Sequence, residues 1–173
     1  MNKANIKELS KKMEEYDELL QKLKNDFEFK NHNNPTGEYA EKLCMAYLEL
    51  NYPLKEDAKG ERNNTKGYDL VDALGKTYQV KGRRFHEKNT VQFDTFYKEG
   101  NDDLGFDYLV TIIFGEKFTV KAVYKISSEE LVSKKLLKNK KRKGKELSAL
   151  YVSYDDKFRE VADDITDKFT GYK

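Results

Sequence analysis

Between Asn5 and Phe29 the apolar residues fall at Ile6, Leu9, Met13, Tyr16, Leu20, Leu23 and Phe27, alternately three and four apart, in a segment without glycine or proline. That spacing predicts a helix with an apolar stripe held for about three heptads, carrying Glu and Lys on its other faces. The stripe needs a covering surface, either a second copy of the chain or another helix of the same chain. Packing within the chain is the first expectation, since three heptads is a short coiled coil. Asn31-His32-Asn33-Asn34-Pro35 is a polar breaker. A second helix is expected from Gly37 to Leu50, capped by Thr36, with Leu43, Ala46, Tyr47 and Leu50 at helical spacing. Asn51-Tyr52-Pro53 ends it, and a loop rich in charge and Asn runs from Lys55 to Lys66.

Strand patterns then take over. Tyr68 to Ala73 and Thr77 to Arg83 flank a turn containing Leu74-Gly75, which predicts a hairpin. Phe106 to Phe114 is a nearly continuous apolar run, as in a strand covered on both faces. Gly115-Glu116-Lys117 turns it into Phe118 to Ile126, whose alternation suits a half-buried strand. A helix capped by Ser127 or Ser128 is expected through Leu137, then a short strand around Leu147 to Val152 and an acidic terminal helix from Asp155 to Phe169. The plan is α/β (or α+β): one mixed sheet flanked by helices, with residues 1–30 as an N-terminal amphipathic helix and 31–173 as a single domain.

Composition agrees with a folded, highly charged protein. The chain has 173 residues, 38% hydrophobic and 13% aromatic, enough for a core, while charged residues reach 37% against roughly 25% in an ordinary domain. The single cysteine, Cys44, allows no internal disulfide. No apolar run approaches the ~20 residues of a membrane span, and Met1-Asn2-Lys3-Ala4 opens no signal peptide. A cytoplasmic protein without a membrane partner is expected. The net charge of +2 hides a local excess, because Lys134 to Lys145 carries eight basic residues and no acidic ones, leaving 2 − 8 = −6 on the rest. Such a strip is what a polyanion partner needs, although a solvated surface would use the same residues.

The first hairpin carries the chemistry. Taking Ala73-Leu74-Gly75 as a three-residue loop, with Gly75 in the left-handed region, pairs Asp72 with Lys76 and Asp69 with Gln79. Paired residues share a face, and Lys81 lies two residues further on that face. A carboxylate, an amide and an ammonium thereby converge. A hard divalent cation would take oxygens from Asp69, Gln79 and the Val80 backbone carbonyl, while keeping waters and binding a phosphate. Coordination lowers the pKa of such a water. Lys81 would position it or stabilise negative charge on phosphorus oxygens, so phosphodiester hydrolysis fits the set.

Asp69, nine residues, then Gln79-x-Lys81 across a hairpin resembles the catalytic motif of the PD-(D/E)xK nuclease superfamily, which includes restriction endonucleases and archaeal Holliday-junction resolvases. Gly37-x-x-x-Glu41 on the preceding helix is similar to the helical glutamate that often completes the metal site there, with Glu38 as its competitor. Phe106-Asp107-Tyr108-Leu109-Val110 resembles the core strand after the motif. The similarity covers about residues 36–126. Tyr68 replaces the usual proline, and Gln79 replaces the usual acid with a neutral ligand.

The resemblance implies a restriction endonuclease-like mixed sheet and a Mg²⁺-dependent DNA endonuclease, with Mn²⁺ able to substitute. Asp69, Gln79, Glu41 and the Val80 carbonyl would hold the metal, and Lys81 would assist the attacking water. Arg83 and Arg84 would contact phosphates bidentately. Lys140, Lys141, Arg142 and Lys143 in the basic strip would add salt-dependent backbone affinity. Cutting both strands would imply a homodimer, for which the heptad helix is a candidate surface. Restriction or defence is the implied role, with recombination or repair behind it. The rivals are a non-catalytic nucleic-acid-binding module on the same fold and a coiled-coil interaction protein. Plainer readings sit beside each residue. Asp69 and Lys81 make an ordinary cross-strand ion pair, His32 and His86 are isolated surface residues, Cys44 is buried and inert, and the aromatics of 91–108 pack the core.

Overall fold

The computed structural model describes residues 3–29, 34–53, 67–85, 91–96, 104–142 and 145–169. Helix α1 runs Lys3–Phe27. Among the described side chains its stripe is mostly open rather than packed within the chain: Leu9, Met13, Tyr16 and Phe27 are exposed, Leu20 and Leu23 are half-buried, and Phe29, just past the helix, is buried. Helix α2 runs Pro35–Leu48 and is capped by Asn34, not Thr36, the Asn34 side chain accepting from Gly37 N at 3.1 Å. Pro35 takes the first helical position, where its missing N–H leaves nothing unpaired.

Two sheets follow instead of one. Strands β1 (Leu70–Val71), β2 (Thr77–Arg84), β4 (Tyr108–Phe114), β5 (Val120–Ser127) and β8 (Asp163–Asp164) form a five-stranded sheet in the order β1-β2-β4-β5-β8. Strands β3 (Gln92–Phe96), β6 (Leu137–Arg142) and β7 (Lys145–Ser153) form a second sheet in the order β3-β7-β6. In the larger sheet only the β2–β4 pair is parallel, with Gln79 beside Leu109 and Lys81 beside Thr111. Helix α3 spans Ser128–Ser133 and α4 spans Asp156–Val161.

Strand β4 is the centre of the molecule, and its apolar run is buried on both faces as the sequence predicts. Alternation sends Val110, Ile112 and Phe114 into one core with Ala40, Leu43 and Cys44 of α2. Leu109 and Ile113 point the other way, into a core with Phe93 of β3, Val152 of β7 and Phe158 of α4. α2 and the small sheet therefore cover opposite faces. Gly82 lets α2 sit close, since a Cβ there would lie 2.8 Å from both the Ala40 Cβ and the Thr36 carbonyl oxygen.

Three expectations are corrected. The helix after Ser127 stops at Ser133, and the basic strip continues as strand β6, a poor local strand former made extended by pairing with β7. As an edge strand loaded with lysine, it resists pairing with another chain. The terminal helix ends at Val161, after which Asp163–Asp164 pairs with Tyr124–Lys125 of β5 and Phe169 tucks into the core under α2. Strand β3 lies in a segment for which no strand was expected.

Candidate active site

The β1–β2 turn sets the register of the site. Asp72 Oδ1 accepts from Leu74 N and Lys76 N, both at 2.9 Å, and Gly75 takes φ +78° at the end of the loop. The register pairs Leu70 with Tyr78 and Val71 with Thr77. Asp69, a bend residue just before β1, leaves the regular ladder: its N–H donates to the Tyr78 carbonyl at 2.8 Å. Its side chain still meets Gln79 and Val80, so the expected pairing of Asp69 with Gln79 is kept as a side-chain contact and not as a ladder register. Asp107 fixes the start of β2 from the neighbouring strand, accepting from Lys76 Nζ at 2.8 Å and from Thr77 N and Oγ1 at 2.9 Å.

Because β1 has only two residues, β2 becomes an open edge just where Asp69 meets it. Asp69 Oδ2 accepts from Val80 N at 2.8 Å and from the Gln79 side-chain amide, both falling on the same oxygen. A strand residue sends its N–H and C=O out of one edge, so the Val80 carbonyl faces the same side. Burial raises the Asp69 pKa, against the Val80 N–H and the Lys81 charge. Burial lowers that of Lys81, which Asp69, Glu41 and Asp94 partly restore and Arg83 opposes.

Glu41 reaches this edge from α2. Its carboxyl is pushed up to about 7 by burial and by the charges of Asp69 and Glu38, while a Tyr52 hydroxyl donating at 3.5 Å and the Lys81 charge pull it down. Glu38 is buried one turn earlier. Both helical candidates thus belong to one acidic edge, and Glu41 accepts from the Tyr52 hydroxyl. Among the described residues no three His, Cys, Asp or Glu side chains form a metal-ligand group. A cation here would need the Gln79 carbonyl or backbone oxygen. The donor set suits one nonetheless. It is all oxygen, as hard cations prefer, and the crowded carboxyls that hold Glu41 partly protonated near neutral pH are the charge a divalent ion would neutralise.

The two arginines diverge, because successive residues of a strand face opposite ways. Arg83 stays near Lys81 and bonds the Gln92 carbonyl at 3.2 Å and the Gly82 carbonyl at 3.0 Å, tying β2 to β3. Arg84 lies over the Phe118 ring, 5.0 Å from its centroid. Lys140, Lys141 and Arg142 belong to β6, and Lys143 lies outside the described residues, as do His32 and His86. Cys44 is buried, and burial pushes its thiol pKa up, so it is no nucleophile. Phe93 and Phe106 of the 91–108 stretch are core residues.

Sequence reasoning missed Asp94 and Tyr52. Asp94 arrives on β3, close enough for Lys81 to feel its charge. The signal was the alternation Val91-Gln92-Phe93-Asp94, whose apolar members are buried. Tyr52 was read only as part of a helix stop. No protein-family model matches the chain, and no curated protein matches its sequence.

Proposed function

We propose that the chain is a metal-dependent endonuclease that hydrolyses phosphodiester bonds in DNA, on a restriction endonuclease-like core. The observation that carries this reading is the convergence of Asp69, Gln79 and Lys81 on the open edge of β2, with Glu41 brought alongside by α2. A hairpin leading into a strand that runs parallel to the central β4, with α2 on one face, also agrees with it.

Asp69, Gln79, Glu41 and the Val80 carbonyl are the groups that would hold Mg²⁺, or Mn²⁺ in its place. Bound there, the ion would lower the pKa of a water and neutralise charge on the phosphate. Lys81 is half-buried and lies within the influence of the charges of Asp69, Glu41 and Asp94, which favour its ammonium form against burial. It would donate to the attacking water or to a non-bridging oxygen as negative charge develops there. Asp94 of the second sheet adds a negative charge that Lys81 feels, and Arg83 joins the two sheets beside it. Lys140, Lys141 and Arg142 of β6, with Lys143 next in the sequence, would bind backbone phosphates without reading sequence.

The Gln79-to-Asp69 hydrogen bond favours a second reading. A site satisfied by its own amide suits a nucleic-acid-binding module that has lost catalysis. Incubation with supercoiled plasmid and with branched DNA, in Mg²⁺, Mn²⁺ or EDTA, separates the two. Metal-dependent cutting that Lys81→Ala loses by about a hundredfold or more supports the nuclease. The substrate preferred divides a restriction or defence role from junction resolution and repair. Salt-sensitive binding with no cutting in either metal means the binding module.

A further inference from the structure

We propose that α1 is a dimerisation element that pairs with α1 of a second copy as a parallel, in-register coiled coil. Among the described residues the stripe is mostly open, with Leu9, Met13 and Tyr16 at 48%, 57% and 49% exposure and Leu20 and Leu23 half-buried, which leaves an apolar face for a second copy to cover. Its spacing places Ile6, Met13, Leu20 and Phe27 at the a positions of a heptad and Leu9, Tyr16 and Leu23 at d. Isoleucine at a followed by leucine at d, as at the start of this helix, favours two strands.

Charge selects the partner and its direction. Lys12 occupies a g position and Asp17 the following e position. In a parallel pair a g residue meets the next e residue of the other helix. Lys12 of each copy then faces the partner's Asp17, twice per dimer. An antiparallel pair with Met13 against the partner's Tyr16 sets Lys12 against leucine and Asp17 against serine, and gains no opposite-charge pair. Lys12 already bonds Glu15 on its own helix at 2.8 Å, but that pair is exposed and exchanges readily.

The inference stands apart from the nuclease reading, because its test reads assembly and not activity. Sedimentation velocity on the full chain, from roughly 1 to 100 µM, is expected to show a monomer–dimer equilibrium. Lys12→Glu is expected to weaken the dimer by about tenfold by turning two attractive pairs into two repulsive ones. Adding Asp17→Lys is expected to restore it. Met13→Glu should leave a monomer whose urea melt matches that of the wild type at concentrations where the wild type is itself monomeric, since Met13 is exposed in the single chain. Leu9→Cys should oxidise to a disulfide-linked dimer, because parallel pairing brings d to the same d. Antiparallel pairing would set position 9 against position 20, and the native Cys44 is buried. A chain that stays monomeric throughout, a dimer that survives Met13→Glu, or no cross-link through Leu9→Cys would each overturn the proposal.

Discussion

Replacing Glu41 with glutamine should make the metal-free protein more stable at alkaline pH, although it removes a residue of the proposed site. Glu41 titrates near 7 rather than at 4.5 because burial and the charges of Asp69 and Glu38 oppose its ionisation. Between those two values the folded chain binds a proton that the unfolded chain has released. Stability therefore falls as pH rises through that window, and above pH 7 the whole penalty is present. At about 1.4 kcal/mol per pH unit the penalty is about 3 kcal/mol, somewhat less after allowance for the exposed part of the side chain. Glutamine keeps an acceptor for the Tyr52 hydroxyl and drops the charge. Urea denaturation of both proteins in EDTA, at pH 5 and pH 8, gives the comparison. Glu41→Gln should gain about 2–3 kcal/mol at pH 8, or roughly 4–12 °C in Tm for a chain of this length, and much less at pH 5. Mg²⁺ should then stabilise the wild type by mass action and narrow the gap. A variant less stable than wild type at pH 8, or equally shifted at both pH values, would refute the reasoning.

Three further outcomes follow from named contacts. Gln79→Glu places a carboxylate at the position where the motif that the sequence resembles has one. It should raise Mn²⁺ affinity about tenfold by calorimetry, through the added ligand charge, while destabilising the metal-free protein because it sets a second carboxylate against Asp69. Gly82→Ala pushes a methyl against Ala40 and the Thr36 carbonyl and should cost about 1–3 kcal/mol in urea melts. Its effect on cleavage should exceed its effect on DNA binding, since α2 carries Glu41. Asp107→Ala removes the acceptor for Lys76 and Thr77 and should cost about 1–2 kcal/mol. Those bonds hold the Asp107 pKa below its ordinary 3.8, so the contribution is present above that value and is lost as pH falls through the lower folded pKa.

The hairpin and its register were legible because local chemistry decides them. Gly75 accepts the left-handed turn, Asp72 caps the turn, and a two-residue period then fixes the pairing of Leu70 with Tyr78, beside which the Asp69 side chain reaches Gln79. Strand β4 was legible for a similar reason, since burial on both faces leaves an unbroken apolar run. Elements fixed by distant partners were not. Leu137–Arg142 reads locally as a helix end, yet β7 holds it extended. Asp163–Asp164 continues an acidic helix on paper and is a strand only because β5 offers an edge. Asp94 is hidden likewise, because its place beside Lys81 depends on how the second sheet lies over the first. The cap on α2 moved from Thr36 to Asn34 because proline at the first helical position fixes where the helix begins.

The proposed nuclease requires the acidic edge of β2 to hold a divalent cation. Titration calorimetry with Mn²⁺ at pH 8, on wild type and Asp69→Asn, tests that without requiring the right DNA. One ion per chain is expected in the wild type, with affinity lost in Asp69→Asn while the fold, read by circular dichroism, is kept. No binding by the wild type at about 10 mM Mn²⁺, or binding that Asp69→Asn leaves unchanged, would contradict it.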